Sequence, residues 1–259
     1  MSELVKFSQS ESTIHLVINR PEARNALNTE VITSLTKHLE EIDNNNSIKS
    51  VLLYGEGEKA FCAGADLAEL KNAKDESERR AVFQSVSDLV VKINKLSKPV
   101  IAKVHGYALA GGCGLAAACD LVIASDEAKF GLPEINIGLL PLIVMAPIHR
   151  AIGRRALMEL TLTGEMISAK RALEIGLVTK VYPKADLDKN AEELANCFAD
   201  KSSVALKLGK QAVYKVGELD YFEAFPELVN RVSAFSDMDD FEEGVNAFFE
   251  KRKANWSGK

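Results

Sequence analysis

The residues best suited to chemistry lie between Lys98 and Glu134, in KPVIAKVHGYALAGGCGLAAACDLVIASDEAKFGLPE. Gly111, Gly112 and Gly114 stand at the start of a small, apolar segment, and the lone carboxylate of Glu134 follows. Clustered glycines mark a place where something approaches the backbone closely, or where N–H groups at a helix N-terminus stay free to donate. Free donors at a helix start suit a developing negative charge. Close helix packing is the commoner origin of such a cluster. A dinucleotide fingerprint is a third reading, since Gly112, Gly114 and Ala117 fit GxGxxA. It lacks its context, because the first glycine must follow the strand directly and here His105–Gly111 intervenes.

Those residues need elements to hold them. Pro99–Val104 is a β-branched run bounded by Pro and Gly and predicts a buried strand; Tyr107–Gly111 reads as a turn and Gly112–Cys119 as a helix against the sheet. Upstream, Thr13–Asn19 alternates as a strand ended by Arg20-Pro21. Asn28 caps a helix carrying Val31, Leu35, Leu39 and Ile42, and Ile48–Tyr54 is a second strand. Phe61–Asp66 turns into a helical LAELKNA. Ser77–Leu96 repeats Val82, Phe83, Val86, Leu89, Val90 and Ile93 at helical period. Downstream, Asp120–Ala124 and Lys129–Gly131 predict strands, Ile135–Ile152 is apolar, Ser168 caps a helix ending at Gly176, and Leu177–Tyr182 is the last strand. From Asp186 onward the pattern is helical, with a change of architecture near residue 200. Strands alternating with helices imply a largely parallel sheet with ligand sites where strands lead into helices, here Tyr54–Asp66 and Val104–Gly112.

At 259 residues and a formal charge of -5, the chain has material for a sizeable core and no general nucleic-acid footprint. Cys62, Cys113, Cys119 and Cys197 lack CxxC spacing, which argues for reduced intracellular thiols and against zinc. The N-terminus alternates like a strand and no window reaches membrane-spanning length, so a cytoplasmic protein that does not engage membranes is expected.

Six blocks, in order, resemble the crotonase superfamily, also called the enoyl-CoA hydratase/isomerase family: NRPEARNALN (19–28), KAFCAGADLAEL (59–70), KPVIAKVHGYALAGGCGLAAACD (98–120), FGLPEINIGLLP (130–141), LTGEMISAKRALEIGLV (162–178) and FFEKRKANW (248–256). The resemblance implies an α/β, crotonase-like spiral of ββα units (residues 1–200), then a helical C-terminal trimerisation region (residues 201–259). It implies a homotrimer or dimer of trimers, an acyl-CoA substrate and no cofactor beyond that substrate's coenzyme A moiety. The oxyanion hole carries over to the backbone N–H groups of Ala65 and Gly111. Arg24 would lie along the CoA phosphates, the backbone around Ala23, Ala63, Asp66 and Leu67 would hold the adenine end, and Lys251 would reach the nucleotide of a neighbouring subunit.

Hydratases of the family carry one glutamate three residues after the oxyanion glycine and another twenty residues later; here those positions are Gly114 and Glu134. A hydratase must activate water and protonate the α-carbon, work that paired carboxylates divide. One carboxylate can instead carry a proton between two carbons of an enolate system, which favours double-bond isomerisation (3-enoyl to 2-enoyl) over hydration. Gly114 also leaves room for a catalytically reduced acyl-CoA-binding scaffold, while hydrolysis lacks a serine in the glycine turn. The segment PLIVMAPIHR (141–150) is bulkier than the glycine-rich stretch of many relatives and bears on the acyl pocket. Leu67, Leu70, Leu139 and Leu142 are candidates to line it, although a core role is the simpler expectation for each. His105 reads as structural, Cys113 as a buried inert thiol and Asp120 as a turn or cap residue.

Overall fold

The computed structural model describes residues 3–259. Along the chain run β1 (Val5–Ser10), β2 (Thr13–Ile18), α1 (Thr29–Asp43), β3 (Ser50–Gly55), β4 (Ala60–Cys62), α2 (Leu67–Asn72), α3 (Glu76–Lys95), β5 (Val100–Val104), β6 (Tyr107–Leu109), α4 (Gly111–Ala118), β7 (Leu121–Ser125) and β8 (Lys129–Gly131). A 3₁₀ turn, Pro133–Ile137, leads to α5 (Met145–Thr163), β9 (Met166–Ser168), α6 (Ala169–Glu174), β10 (Lys180–Tyr182), α7 (Leu187–Asn196), α8 (Ser203–Val216), α9 (Tyr221–Ser236) and α10 (Asp239–Glu250).

Successive strands are dealt to two sheets. The larger has the order β1-β2-β3-β5-β7-β10, the smaller β4-β6-β8-β9. Each strand, strand, helix unit therefore adds one strand to each sheet, and the pairs β3/β4, β5/β6 and β7/β8 repeat that step. All ladders are parallel except β1 with β2 and β8 with β9. Such a sheet is buried on both faces, which accounts for the near-continuous apolar run of β5, with Val100, Ile101, Ala102 and Val104 at 0% exposure.

Tyr107–Gly111 differs from its expected turn. Tyr107–Leu109 is a strand, paired to β4 and β8. Three residues are too few to display a period of two, so only the ladder partners make this strand. The same holds for β4 and β9, which the sequence reading passed over. The caps are as expected: Asn28 accepts from Val31 N–H and Ser168 from Arg171 N–H. On α3 the buried stripe is Val82, Val86, Leu89, Val90 and Ile93, whereas Phe83 lies off it, exposed.

α7 closes the outer face of the large sheet, where Leu187, Ala191 and Ala195 meet Leu52, Ile101 and Ile123. The last helices leave large apolar side chains uncovered. Tyr221, Phe222, Phe248 and Phe249 are 72 to 82% exposed.

Candidate active site

The loop Arg20–Asn28 is fastened to the loop Gly55–Asp66 by backbone bonds that decide which donors remain free. Leu27 N–H donates to Gly64 C=O at 2.8 Å, and Asp66 N–H donates to Leu27 C=O at 2.9 Å. In this parallel bridge Leu27 bonds the two neighbours of Ala65, so the N–H of Ala65 itself is directed away from Leu27. Among the described residues it finds no acceptor. Buried Asn25 anchors the loop, its side-chain amide donating to Ala60 C=O at 2.7 Å and to Glu56 C=O at 3.0 Å.

Gly111 supplies a second free donor for a different reason. It is the first residue of α4, where N–H groups have no carbonyl one turn back, and Ala110 gives no side-chain cap. Ala110 is strained, with φ 52° and ψ −127°, a conformation that costs a residue bearing a Cβ on the order of 1–3 kcal/mol. Its N–H, donating to Gly131 C=O at 2.9 Å, holds it there. Gly64 lets the two donors come together: its φ is +98°, and a Cβ on it would stand 2.8 Å from Gly111 N. A Cβ on Gly111 would in turn lie 3.3 Å from Ala65 N. The Ala65 and Gly111 N–H groups are thus close neighbours, both unused and at a helix N-terminus, where an anionic oxygen is stabilised.

Glu134 arrives on the same scaffold. The Ala110–Gly131 bond ties the end of β8 to the start of α4, and Pro133 sets the 3₁₀ turn that carries Glu134 immediately beyond it. One carboxylate oxygen, Oε2, is buried and has no hydrogen-bond partner among the described residues. Burial raises the Glu134 pKa above the ordinary glutamate range. Its own backbone N–H opposes that rise only in part, and a carboxyl with no cation beside it among the described residues is suited to accept a proton. Cys113 lies close by: burial, with a further push from the Glu134 charge, lifts its thiol to about 12, so it is inert as expected.

Gly114 answers the question of the missing carboxylate. A Cβ on it would overlap Cβ and Cγ1 of Val144 and stand 3.3 Å from Cγ2. Val144 is 3% exposed. The space of a side chain at position 114 is therefore filled by the start of α5, from within the bulky segment 141–150. Close packing and free donors, rival readings of one glycine cluster, divide it: Gly112 and Gly114 press against Cys62 and Val144, while Gly111 keeps its N–H.

Of the other sequence candidates, Arg24 is exposed at the end of the Pro21–Ala23 turn, and its guanidinium meets no partner among the described residues. Ala23, Ala63 and Asp66 have committed their N–H groups, to Arg20, Arg24 and Leu27 carbonyls respectively. The Ala23 and Asp66 carbonyls are also engaged, by Ala26 N–H and by the N–H groups of Glu69 and Leu70. The Asp66 carboxylate also caps α2 and receives Arg20 at 3.0 Å. Burial alone would raise it, but Arg20 and the Ala68 N–H hold it below the usual range. Arg20 was not singled out by its sequence context. Lys251 is the left-handed C-cap of α10 with φ 55°. A core role for the leucines is overturned: Leu67, Leu139 and Leu142 are 54, 39 and 65% exposed, and Leu70 is half-buried. Leu67 opens α2 and Leu70 lies within it, while Leu139 and Leu142 are on the loop before α5, where Leu142 lines a cavity with Asp120 and Tyr214. Sequence reasoning also missed Val144 and Ala110; the bulk of PLIVMAPIHR hinted at the first, and nothing local marks the second. Asp120 is more than a turn residue, as its buried bond with Lys210 shows.

A family model described as enoyl-CoA hydratase/isomerase matches residues 8–259. The chain belongs to that family. It is 37% identical over 240 residues to a short-chain-enoyl-CoA hydratase of Clostridium acetobutylicum, covering 92% of this chain and 91% of that protein. It is 34% identical to a 2,3-dehydroadipyl-CoA hydratase of Escherichia coli, covering 100% of both. A crystal structure of an enoyl-CoA hydratase from Bacillus anthracis superposes with a TM-score of 0.94 at 31% identity, covering 99% of this chain and 100% of that one. The family expected from the six sequence blocks is the one found, and the two-sheet spiral is its fold. Among the described residues, no three His, Cys, Asp or Glu side chains gather as a metal site, and no helix is long and apolar enough to cross a membrane.

Proposed function

We propose that this enzyme acts on an enoyl-CoA thioester, with the Ala65 and Gly111 N–H groups receiving the thioester oxygen and Glu134 carrying the proton. The observation that supports this most strongly is the buried Glu134 Oε2, unpartnered among the described residues, on the 3₁₀ turn just beyond the strand end tied to the Gly111 helix. Loss of the α-proton to Glu134 leaves a dienolate whose oxygen the two donors stabilise. Return of that proton at the γ-carbon moves the double bond from the 3- to the 2-position. No atom is gained or lost, and no co-reactant is needed. Arg24 would meet the CoA phosphates, the backbone around Ala23, Ala63, Asp66 and Leu67 the adenine, and Leu70, Leu139 and Leu142 the acyl chain. Lys251 would serve a neighbouring subunit.

Hydration of a 2-enoyl-CoA is the second reading, favoured by the hydratase names of relatives at 34 and 37% identity. Chromatography of products from crotonyl-CoA and from a 3-enoyl-CoA under matched conditions decides between them. Faster isomerisation supports the first reading; a hydration rate equal to or above it sinks that reading.

The exposed aromatics of α9 and α10 support assembly as a homotrimer or dimer of trimers, since so large an apolar face on a monomer is an aggregation hazard. Phe248→Asp is expected to shift the light-scattering mass toward the monomer. An unchanged mass would remove these helices from the interface.

A further inference from the structure

We propose that Val144 is the specificity-determining residue that keeps water away from the reacting carbons, an inference that rests on Glu134 being the base. Gly111 and Gly114 are one turn apart on α4, so the side-chain direction of position 114 lies on the same helix face as the free Gly111 donor. That direction is filled by the Val144 isopropyl group. A water placed to attack an enoyl-CoA needs a volume of about one probe sphere or more and two to four polar partners. Beside Gly114 that volume is taken by Val144, which is buried and apolar, and position 114 brings no second carboxylate to join Glu134 in holding a water.

This makes the missing carboxylate a coupled exchange of two positions. Gly114→Glu alone drives its Cβ into Val144 and has no place for a carboxyl group. Restoring water chemistry needs the space vacated as well as the glutamate supplied. Hydration adds the hydrogen and hydroxyl of one water across the double bond, so water is the sole co-reactant the exchange requires.

The experiment compares wild type, Glu134→Gln, Val144→Ala, Val144→Ser, Gly114→Glu and the double variant Gly114→Glu/Val144→Gly. Two quantities are measured on each. One is exchange of the α-protons of butyryl-CoA with deuterated solvent, followed by mass spectrometry; the other is the ratio of hydration of crotonyl-CoA to isomerisation of a 3-enoyl-CoA. The ratio is expected to rise about tenfold in Val144→Ser and by about a hundredfold or more in the double variant, the scale of one general acid–base group. Gly114→Glu alone is expected to melt lower than the double variant. Should Val144→Gly prove too destabilising, Val144→Ala and Val144→Ser still carry the test. An unchanged ratio in folded Ser and double variants, with Glu134-dependent exchange intact, overturns the role of Val144. Absence of exchange in wild type, or exchange that survives in Glu134→Gln, overturns the underlying reading instead.

Discussion

The two ends of α4 use carboxylates in opposite ways. At its C-terminal end Asp120 is saturated. One oxygen accepts from Val100 N–H and from Lys210 Nζ, both at 2.7 Å, and the other accepts from Tyr214 OH at 3.2 Å. Lys210 also donates to the carbonyls of Ile93 and Lys98, and Asn94 donates to Ala118 C=O and Tyr214 OH. At the N-terminal end, by contrast, Glu134 Oε2 is buried with no partner and two N–H groups are idle. Unmade hydrogen bonds in a buried place cost stability and are kept where a ligand will make them. Satisfaction at one end of the helix fixes the frame; its absence at the other end leaves the chemistry.

The largest effect expected from this contrast is kinetic. Glu134→Gln keeps the shape of the side chain and removes the base, so kcat on the preferred enoyl-CoA should fall by about a hundredfold to ten-thousandfold while circular dichroism is unchanged. Asp120→Asn, assayed beside it, should keep most of its rate per folded molecule. If the Asp120 variant, still folded, loses as much rate as the Glu134 variant, the division between the two ends collapses.

Stability should show the reverse order. Lys210→Met strands the Asp120 carboxylate, whose side chain is 16% exposed against 6% for Lys210, and should cost on the order of 3–5 kcal/mol in urea unfolding. A loss well below 1 kcal/mol would mean that the knot does not hold α8 to the sheet.

Burial raises the pKa of both carboxylates, Asp120 despite its partners, so acidity tests the Glu134 end by itself. Because burial raises the folded pKa of Glu134 above the 4.5 of a free glutamate side chain, the acid limb of kcat/KM should lie above that value. An acid limb at or below it would contradict a base held in a site that disfavours charge.

The smallest expected effect concerns Glu134→Gln stability. A raised folded pKa means that the native state holds the proton more tightly than the unfolded chain, so stability falls as pH rises from 4.5 through the folded value. Glutamine escapes that loss. The variant should melt above wild type at pH 8, with the gap closing near pH 4. Lower melting at pH 8 would show that the native carboxylate is stabilised by something other than an incoming substrate.

Legibility in the sequence followed the length of each signal. The helices α1 and α3 and the strand β5 are long or apolar enough to show their period, and Asn28 and Ser168 announce their helices through bonds made within one turn. The glycine cluster and Glu134 were visible as residue types, and the six blocks were enough to name the family. The three-residue strands β4, β6 and β9 were hidden, since each sits in a stretch that reads as a turn or loop and is made by its partners, whereas β8, equally short, was legible at Lys129–Gly131.

By itself, then, the sequence determined which groups are present: a glycine start to α4, one carboxylate at 134 and no second one at 114. Only the tertiary structure decided what each group is free to do. The Ala65 donor is idle because Leu27 bonds its neighbours, and Glu134 Oε2, carried on the 3₁₀ turn, is buried without a partner among the described residues. Position 114 is closed because Val144, thirty residues along the chain, comes back to lie on it. Local signals report bonds within a turn or two, whereas vacancy and occupancy depend on what distant segments bring to the same place.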